Sequence, residues 1–401
     1  MTNASRRGTP TVRHSPWPKQ AFAFGLFFFS YYAYVGVFSP YASLFFAQRG
    51  ISAAEIGVLM SLMSAMRIFG PNLWGWVADR SHARVAVLRI TSTAALAIFC
   101  AMFFSRSFIA FFVVMAAINF FTAAQGPLSE ALMLTELRGD LTHYGKLRLW
   151  GSVGFIAAVT VAGECLDRFG IDWFPVIAFV MLLLVVAASL HLRETAPVHS
   201  IEPTPSVGSL LRKREVIAFF ASTFLMIAAH SALYVFYSLF LAQHGYSKSL
   251  IGLMWSLGVL AEIMFFYFQA PIFRRFGIKN LMRWALMIAV VRFLMIGFGA
   301  ESVWLLVLAQ VLHAATFGAH HSASVATLQR WFSGRLQARG QALYTSISYG
   351  LGGSFGGLTF SFIWERYGAT YVFATAALFA LCACGAAALS WHWQSHQSEN
   401  P

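Results

Sequence analysis

Apolar runs of about 20 residues, long enough to cross a bilayer as helices, recur along the whole chain between short polar breaks. Twelve spans are predicted, with approximate limits 20–47, 52–77, 85–105, 107–134, 147–166, 171–192, 215–242, 248–273, 280–299, 302–326, 340–364 and 368–391. The stretch Ser43 to Leu62, SLFFAQRGISAAEIGVLMSL, returns 195 residues later as Ser238 to Leu257, SLFLAQHGYSKSLIGLMWSL, with eleven of twenty positions identical. Each copy closes one apolar run, breaks at Gln-x-Gly-x-Ser and opens the next. The expected fold is an all-α integral membrane protein of two similar six-helix halves around a central pathway, the architecture of duplicated transporters. Its expected parts are a polar tail at 1–18, a first bundle at 19–193, a linker at 194–214, a second bundle at 215–391 and a tail at 392–401.

Composition supports this reading: 58% of residues are hydrophobic and 11% charged, against about 25% charged in a soluble domain. A net charge of +13 raises nucleic acid as a partner, but the placement of the charge argues against it. With twelve spans and both termini inside, twenty-one Lys and Arg fall on the cytoplasmic side and five, Arg49, Arg106, Arg168, Lys248 and Arg366, on the other. That bias is the topology signal of a multi-pass membrane protein. The chain is expected in the cell inner membrane, as a monomer whose partners are the bilayer, protons and a small-molecule substrate. Its first run is too long for a signal-peptide core and is taken as uncleaved. Cys100, Cys165, Cys382 and Cys384 show no metal spacing, and no ATP-binding loop or nucleophile–base arrangement appears. Neither an enzyme nor an ATP-driven pump is expected, and no cofactor; the proton gradient is the expected driving force.

Three charges stand out because they lie mid-span: Arg67, Arg292 and Glu262, the last being the repeat counterpart of Arg67. Each costs about 2.5–3.5 kcal/mol at the bilayer centre, on the order of 10 kcal/mol together, so they must face one another or a wet cavity. His313 lies mid-span as well. Tyr31 and Tyr34 on the first span and Tyr234 and Tyr237 on the seventh offer an aromatic wall for the apolar body of a solute. Pro40 is expected to interrupt the first span. His230 is read as a core residue, while His320 and His321 receive no role. Gly350-Leu-Gly352-Gly353-Ser-Phe-Gly356-Gly357 is read as a close helix contact.

At the end of the second span, Gly75-x-x-x-Asp79-Arg80-x-His82-x-Arg84 resembles the loop signature of the major facilitator superfamily, with His82 where the family has a second glycine. The resemblance implies a gating role for Gly75, Asp79, Arg80 and Arg84. Further on, Gln125-Gly-Pro127-Leu-Ser-Glu130 and Tyr144-Gly-Lys146-Leu-Arg148-Leu-Trp150-Gly-Ser152 place an acid and an arginine at similar depth on neighbouring spans. These runs, with Ser256-Leu-Gly-Val-Leu-Ala-Glu262 and Leu312-His313-Ala-Ala-Thr316-Phe317, resemble the branch of sugar, nucleoside and phenylpropionate permeases. That likeness implies proton symport, with Glu130 and Arg148 on the solute and Glu262, Arg292 and His313 in proton coupling. In the sugar permease a second acid follows the histidine by one turn; here Thr316 stands in its place.

A structural salt bridge is the competing reading of Glu130 and Arg148. Desolvation favours a neutral carboxyl and a neighbouring guanidinium favours the anion, so moving Arg292 relative to Glu262 would load or release a proton. A substrate anion would engage Arg148 or Arg67. An aromatic monocarboxylate is the favoured solute. A sugar or nucleoside, efflux of hydrophobic compounds, and a membrane sensor that does not transport are the alternatives.

Overall fold

A computed structural model describes residues 19–137, 141–194 and 207–399. The tail at 1–18 with Arg6 and Arg7, Arg138, linker residues 195–206 and the last two residues of the chain lie outside the described residues.

Twelve long helices form the described structure, and no strand occurs among those residues. They are α1 (Ala21–Gln48), α2 (Ala53–Ser81), α3 (Arg84–Phe103), α4 (Phe108–Glu136), α5 (His143–Phe169) and α6 (Ile171–Ser189) in the first half. The second half has α7 (Arg214–Gln243), α8 (248–276), α9 (278–299), α10 (Val303–Trp331), α11 (337–367) and α12 (Ala369–Gln394). Helices α8 and α9 are one helical run from Lys248 to Gly299 broken at Gly277, whose φ of 70° and ψ of 160° no helix accommodates. We call the end of the molecule that carries the α2–α3 and α8–α9 junctions the tail end, and the end of the α1–α2 turn the far end.

The repeated sequence has a direct physical meaning. Gly50 and its counterpart Gly245 take φ of 76° and 79°, a left-handed geometry that suits glycine and stops a helix. Two residues on, Ser52 and Ser247 accept the backbone N–H of Glu55 and Leu250, at 3.3 and 3.2 Å, and so start the next helix. In the first copy Glu55 reaches back to the Ser52 amide at 2.9 Å, completing a capping box. Gln-x-Gly-x-Ser is thus a helix stop followed by a helix start, and it is used once in each half.

Proline acts differently in two places. Pro127 denies Ala123 its usual N–H partner, and α4 is interrupted by a turn at residues 123–124. Pro40, by contrast, leaves α1 helical from Ala21 to Gln48, contrary to the expected interruption; neighbouring helices hold it, as packed membrane helices do. Within each bundle glycine sets the closest approach. A Cβ on Gly154 of α5 would lie 2.2 Å from the Phe29 carbonyl of α1, and one on Gly356 of α11 the same distance from the Ala228 carbonyl of α7. The glycine run of α11 is therefore a packing surface, and α1–α5 and α7–α11 are equivalent pairs in the two halves.

The halves meet along α5–α8 and α2–α11. At the far end the Asp167 carboxylate accepts the first amides of α8, Lys248 at 2.9 Å and Ser249 at 2.7 Å. By the same logic Glu365 on α11 accepts the Ala54 amide at the start of α2, at 3.3 Å. Both carboxylates sit on a helix N-terminus of the other half, where the helix dipole favours an anion. Further in, the Tyr41 hydroxyl donates to the Lys248 carbonyl at 3.1 Å and the Thr160 and Ser256 hydroxyls meet at 2.9 Å. Nearer the tail end, the Ser346 hydroxyl donates to the Ile68 carbonyl at 3.2 Å.

Candidate functional site

Behind the far-end contacts lies a cavity of about 310 Å³ between the halves. Arg67 of α2, Glu262 of α8 and Arg292 of α9, the three mid-span charges, all line it. So do Arg148, Tyr234, Tyr237 and His313. The requirement that membrane-buried charges share a wet space is met by one chamber.

On the second-half side three helices carry wide, π-type turns: Ala232–Phe236 in α7, Ala314–Ala319 in α10 and Thr345–Gly352 in α11. Such turns insert a residue and are frequent at functional sites. One cavity aromatic stands on each: Tyr234, Phe317 and Tyr349. Tyr234 stacks on Trp255 with centroids 6.3 Å apart, and Tyr237 meets the same indole edge-on at 5.9 Å. The Trp255 indole donates to Ser238 at 3.1 Å, which fixes this apolar wall.

On that side an acid–histidine pair stands beside a separately anchored arginine. Glu262 Oε1 and His313 Nε2 are 2.6 Å apart. Arg292, fully buried, donates through Nε to the Ala309 carbonyl at 2.6 Å, through Nη1 to the Thr316 hydroxyl at 3.0 Å and through Nη2 to Gln310 Oε1 at 3.4 Å. Thr316, at the position where the resembling sugar permease has an acid, is therefore an acceptor for this guanidinium. Glu262 pairs with the histidine rather than with Arg292.

On the first-half side the two arginines differ. Arg148 donates through Nε to Glu130 at 3.3 Å and through Nη2 to the Tyr32 hydroxyl, and its guanidinium lies 4.1 Å from the Tyr32 ring centroid. Glu130 meets the cavity through this pair. Arg67 is half-buried and, among the described residues, makes no hydrogen bond or ion pair. It stands where the main cavity joins a side pocket of about 40 Å³ lined by Tyr31, Tyr34, Asn119 and Thr122.

Tyr31 and Tyr34 thus face the side pocket and not the main chamber. The α1 face that does line the chamber is Tyr32, Val35 and Ser39. Sequence reasoning missed Tyr32, Trp255, Gln310, Phe317 and Tyr349. The spacing of 32, 35 and 39 marks one helical face, and Gln310 is a polar residue one turn before His313; both signals were present in the sequence.

Away from the cavity, Asp79 pairs with Arg84 at 3.1 Å and is largely exposed. The N-terminus of α3 is capped by Glu194, which accepts the Arg84 amide at 3.1 Å and the Val85 amide at 2.8 Å. Arg80 lies 5.6 Å from the Trp76 ring centroid, and a Cβ on Gly75 would meet open space. His82, where the family signature has glycine, adopts φ 51° and ends α2; the left-handed turn is the reason glycine suits that position. His230 packs in the core with Nδ1 2.9 Å from the Met226 carbonyl.

The sequence model described as MFS_1 like family matches residues 22–375. A relative from Escherichia coli (strain K12), described as a probable 3-phenylpropionic acid transporter, is 29% identical, covering 88% of this chain and 93% of the relative. A maltose permease from Geobacillus stearothermophilus is 28% identical, with 87% of this chain and 90% of the relative covered. Among solved structures the nucleoside transporter NupG superposes with a TM-score of 0.81 at 19% identity, over 93% of this chain and 99% of that one. The structural likeness establishes the twelve-helix transporter fold.

Proposed function

Because the chain belongs to the MFS_1 like family, whose matched relatives are transporters, we propose that it is a proton-coupled symporter of an aromatic monocarboxylate of the 3-phenylpropionate type, working by alternating access. In this reading the tails are cytoplasmic, the membrane is the cell inner membrane and the carrier is a monomer. The far-end contacts close the outer side.

The observation that carries the proposal is the bare guanidinium of Arg67 beside a rigid aromatic wall. A guanidinium presents a planar fork that matches a carboxylate in two parallel hydrogen bonds. Arg148 already gives two of its donors to Glu130 and Tyr32 and is neutralised by that acid, so it serves as a polar wall and Arg67, with all five donors to offer, as the anion anchor. The ring of the solute lies against Tyr234 and Trp255. The chamber sits at the small end of ligand pockets, which run about 300–1,000 Å³, and suits a single ring with a short chain. The Escherichia coli relative is described as a probable transporter of a solute of this shape.

Coupling follows from charge. A carboxylate entering a low-dielectric chamber brings one negative charge, and one proton on Glu262 compensates it. The loaded carrier then has the charge of the empty one and crosses the same barriers. Glu262 and His313 share that proton across their 2.6 Å contact. Asp79, with Gly75, Arg80 and Arg84, is assigned to the inner gate, where release from Arg84 would free it for the opposite half.

A second reading, a sugar or nucleoside symporter, draws on the polar set of Tyr32, Arg148 and Glu130. The test is uptake of radiolabelled 3-phenylpropionate, maltose and uridine into proteoliposomes with an imposed pH gradient. Accumulation of 3-phenylpropionate alone is expected; accumulation of maltose or uridine favours the second reading, and accumulation of none contradicts both.

A further inference from the structure

Two turns beyond His313 on α10, about 12 Å nearer the tail end by helix rise, stands His321. The sequence gives it no evident task. Its Nδ1 is 3.0 Å from the hydroxyl of Tyr349, which stands on the wide turn of α11 and lines the same chamber as Glu262. The Phe317 ring stacks on His313 at 5.4 Å and on His321 at 6.1 Å, so it separates the two imidazoles. A proton passing between these histidines therefore goes around Phe317, and Tyr349 supplies the polar surface on that route. Tyr344, also on α11, packs 5.9 Å from the His321 ring and 5.5 Å from that of Tyr349, which fixes the pair.

We propose that Tyr349 and His321 form the relay by which the proton on Glu262 leaves toward the tail end. The inference rests on the reading of Glu262 as the coupling carboxyl. The groups facing the relay are Glu262 from α8, whose charge reaches His321, Arg67 from α2 and Tyr234 from α7, whose fields reach Tyr349, Tyr344 from α11, and the adjoining His320, itself in the field of His230 from α7. Glu262 is thus the acid closest in effect to His321, and the relay begins at the group that holds the proton.

In the step, the Glu262 O–H bond breaks and its proton passes, over water in the chamber, to the Tyr349 oxygen. That hydroxyl's own proton moves to His321 Nδ1, making an imidazolium. The imidazolium sheds its Nε2 proton to bulk water, and the ring regains its first tautomer by exchange with water. Tyr349 ends as it began, and the net change is a Glu262 carboxylate and one proton released. His321 is mostly buried but not sealed off, which is what the last transfer needs, since Nδ1 is committed to the tyrosine.

The test is a pH jump followed by time-resolved infrared spectroscopy on the full-length protein in lipid, read at the carboxyl band that Glu262→Gln removes. This readout requires no solute. Both Tyr349→Phe, which deletes one oxygen, and His321→Gln are expected to slow deprotonation at least tenfold while the band keeps its amplitude. The double variant is expected to be no slower than the slower single one, because both act on one route. Unchanged rates in both variants, a loss of amplitude without slowing, or multiplicative slowing in the double variant would overturn the relay while leaving Glu262 in place. If Glu262→Gln removes no titrating band at all, the coupling role of Glu262 falls, and the relay with it.

Discussion

Arg67 stands on α2, half-exposed to the chamber and without a partner among the described residues, whereas its repeat counterpart Glu262 is held 2.6 Å from His313 on a wall braced by buried hydrogen bonds. The first-half wall is made of regular α-helix at this depth; the second-half wall carries three widened turns, each presenting an aromatic ring. One scaffold used twice therefore carries unlike chemistry. The first half offers a free cation to a solute. The second pairs its acid with a histidine, where a proton can be stored, and anchors its arginine separately on α10. Duplication explains the shared framework, and the division between binding and coupling lies in what each copy placed at the equivalent site.

That division can be broken from either side. The largest effect is expected from Arg292→Ala, which strips the Ala309 carbonyl, Thr316 and Gln310 of their buried donor. At about 1–3 kcal/mol for each unsatisfied group, a loss of about 3 kcal/mol or more is expected. Thermal unfolding in detergent checks it, and a melting temperature within a degree of wild type would show that this side is not braced as described. Next comes Glu262→Gln, which should cut gradient-driven accumulation at least a hundredfold, about 2.7 kcal/mol, yet permit solute exchange across equilibrated membranes. Equal loss of both activities would move Glu262 from coupling to binding.

Arg67→Ala is expected to weaken 3-phenylpropionate at least tenfold, about 1.4 kcal/mol, with little change in melting temperature because no partner is left stranded. Titration calorimetry reads the first and a thermal scan the second; a stability loss with intact affinity would make Arg67 structural. The smallest effect belongs to the far end. Asp167→Asn removes the charge that caps α8, a loss of about 1 kcal/mol that should raise the population with the far end open. Distances between spin labels at Arg106→Cys and Glu301→Cys, on far-end turns of the two halves, should show a longer component; an unchanged distribution would remove Asp167 from the closure.

Much of this was legible in the sequence. The apolar runs marked the helices, and the repeat marked both the halves and the stop–start device at Gly50–Ser52 and Gly245–Ser247. The mid-span charges announced a shared chamber because dispersed ones would be too costly. What stayed hidden depends on how helices are turned against one another. Charge alone favours Glu262 with Arg292, but the guanidinium finds a carbonyl, a hydroxyl and an amide on α10 instead. Which of Arg67 and Arg148 is free is decided by Tyr32, a residue that differs from Tyr31 only in the face it occupies. The widened turns have no compositional mark, since they change the backbone bonding pattern and not the residue types. Pro40 misled because its cost is local while the packing that holds α1 together is not.

The account stands most directly on calorimetric titration of 3-phenylpropionate in two buffers of different ionisation enthalpy, which counts protons taken up on binding. It predicts proton uptake with the wild-type protein at alkaline pH, where Glu262 starts as the carboxylate, binding without uptake in Glu262→Gln, and loss of binding in Arg67→Ala. Proton uptake that persists in Glu262→Gln, or undiminished binding in Arg67→Ala, would contradict the assignment of coupling to one wall of the chamber and binding to the other.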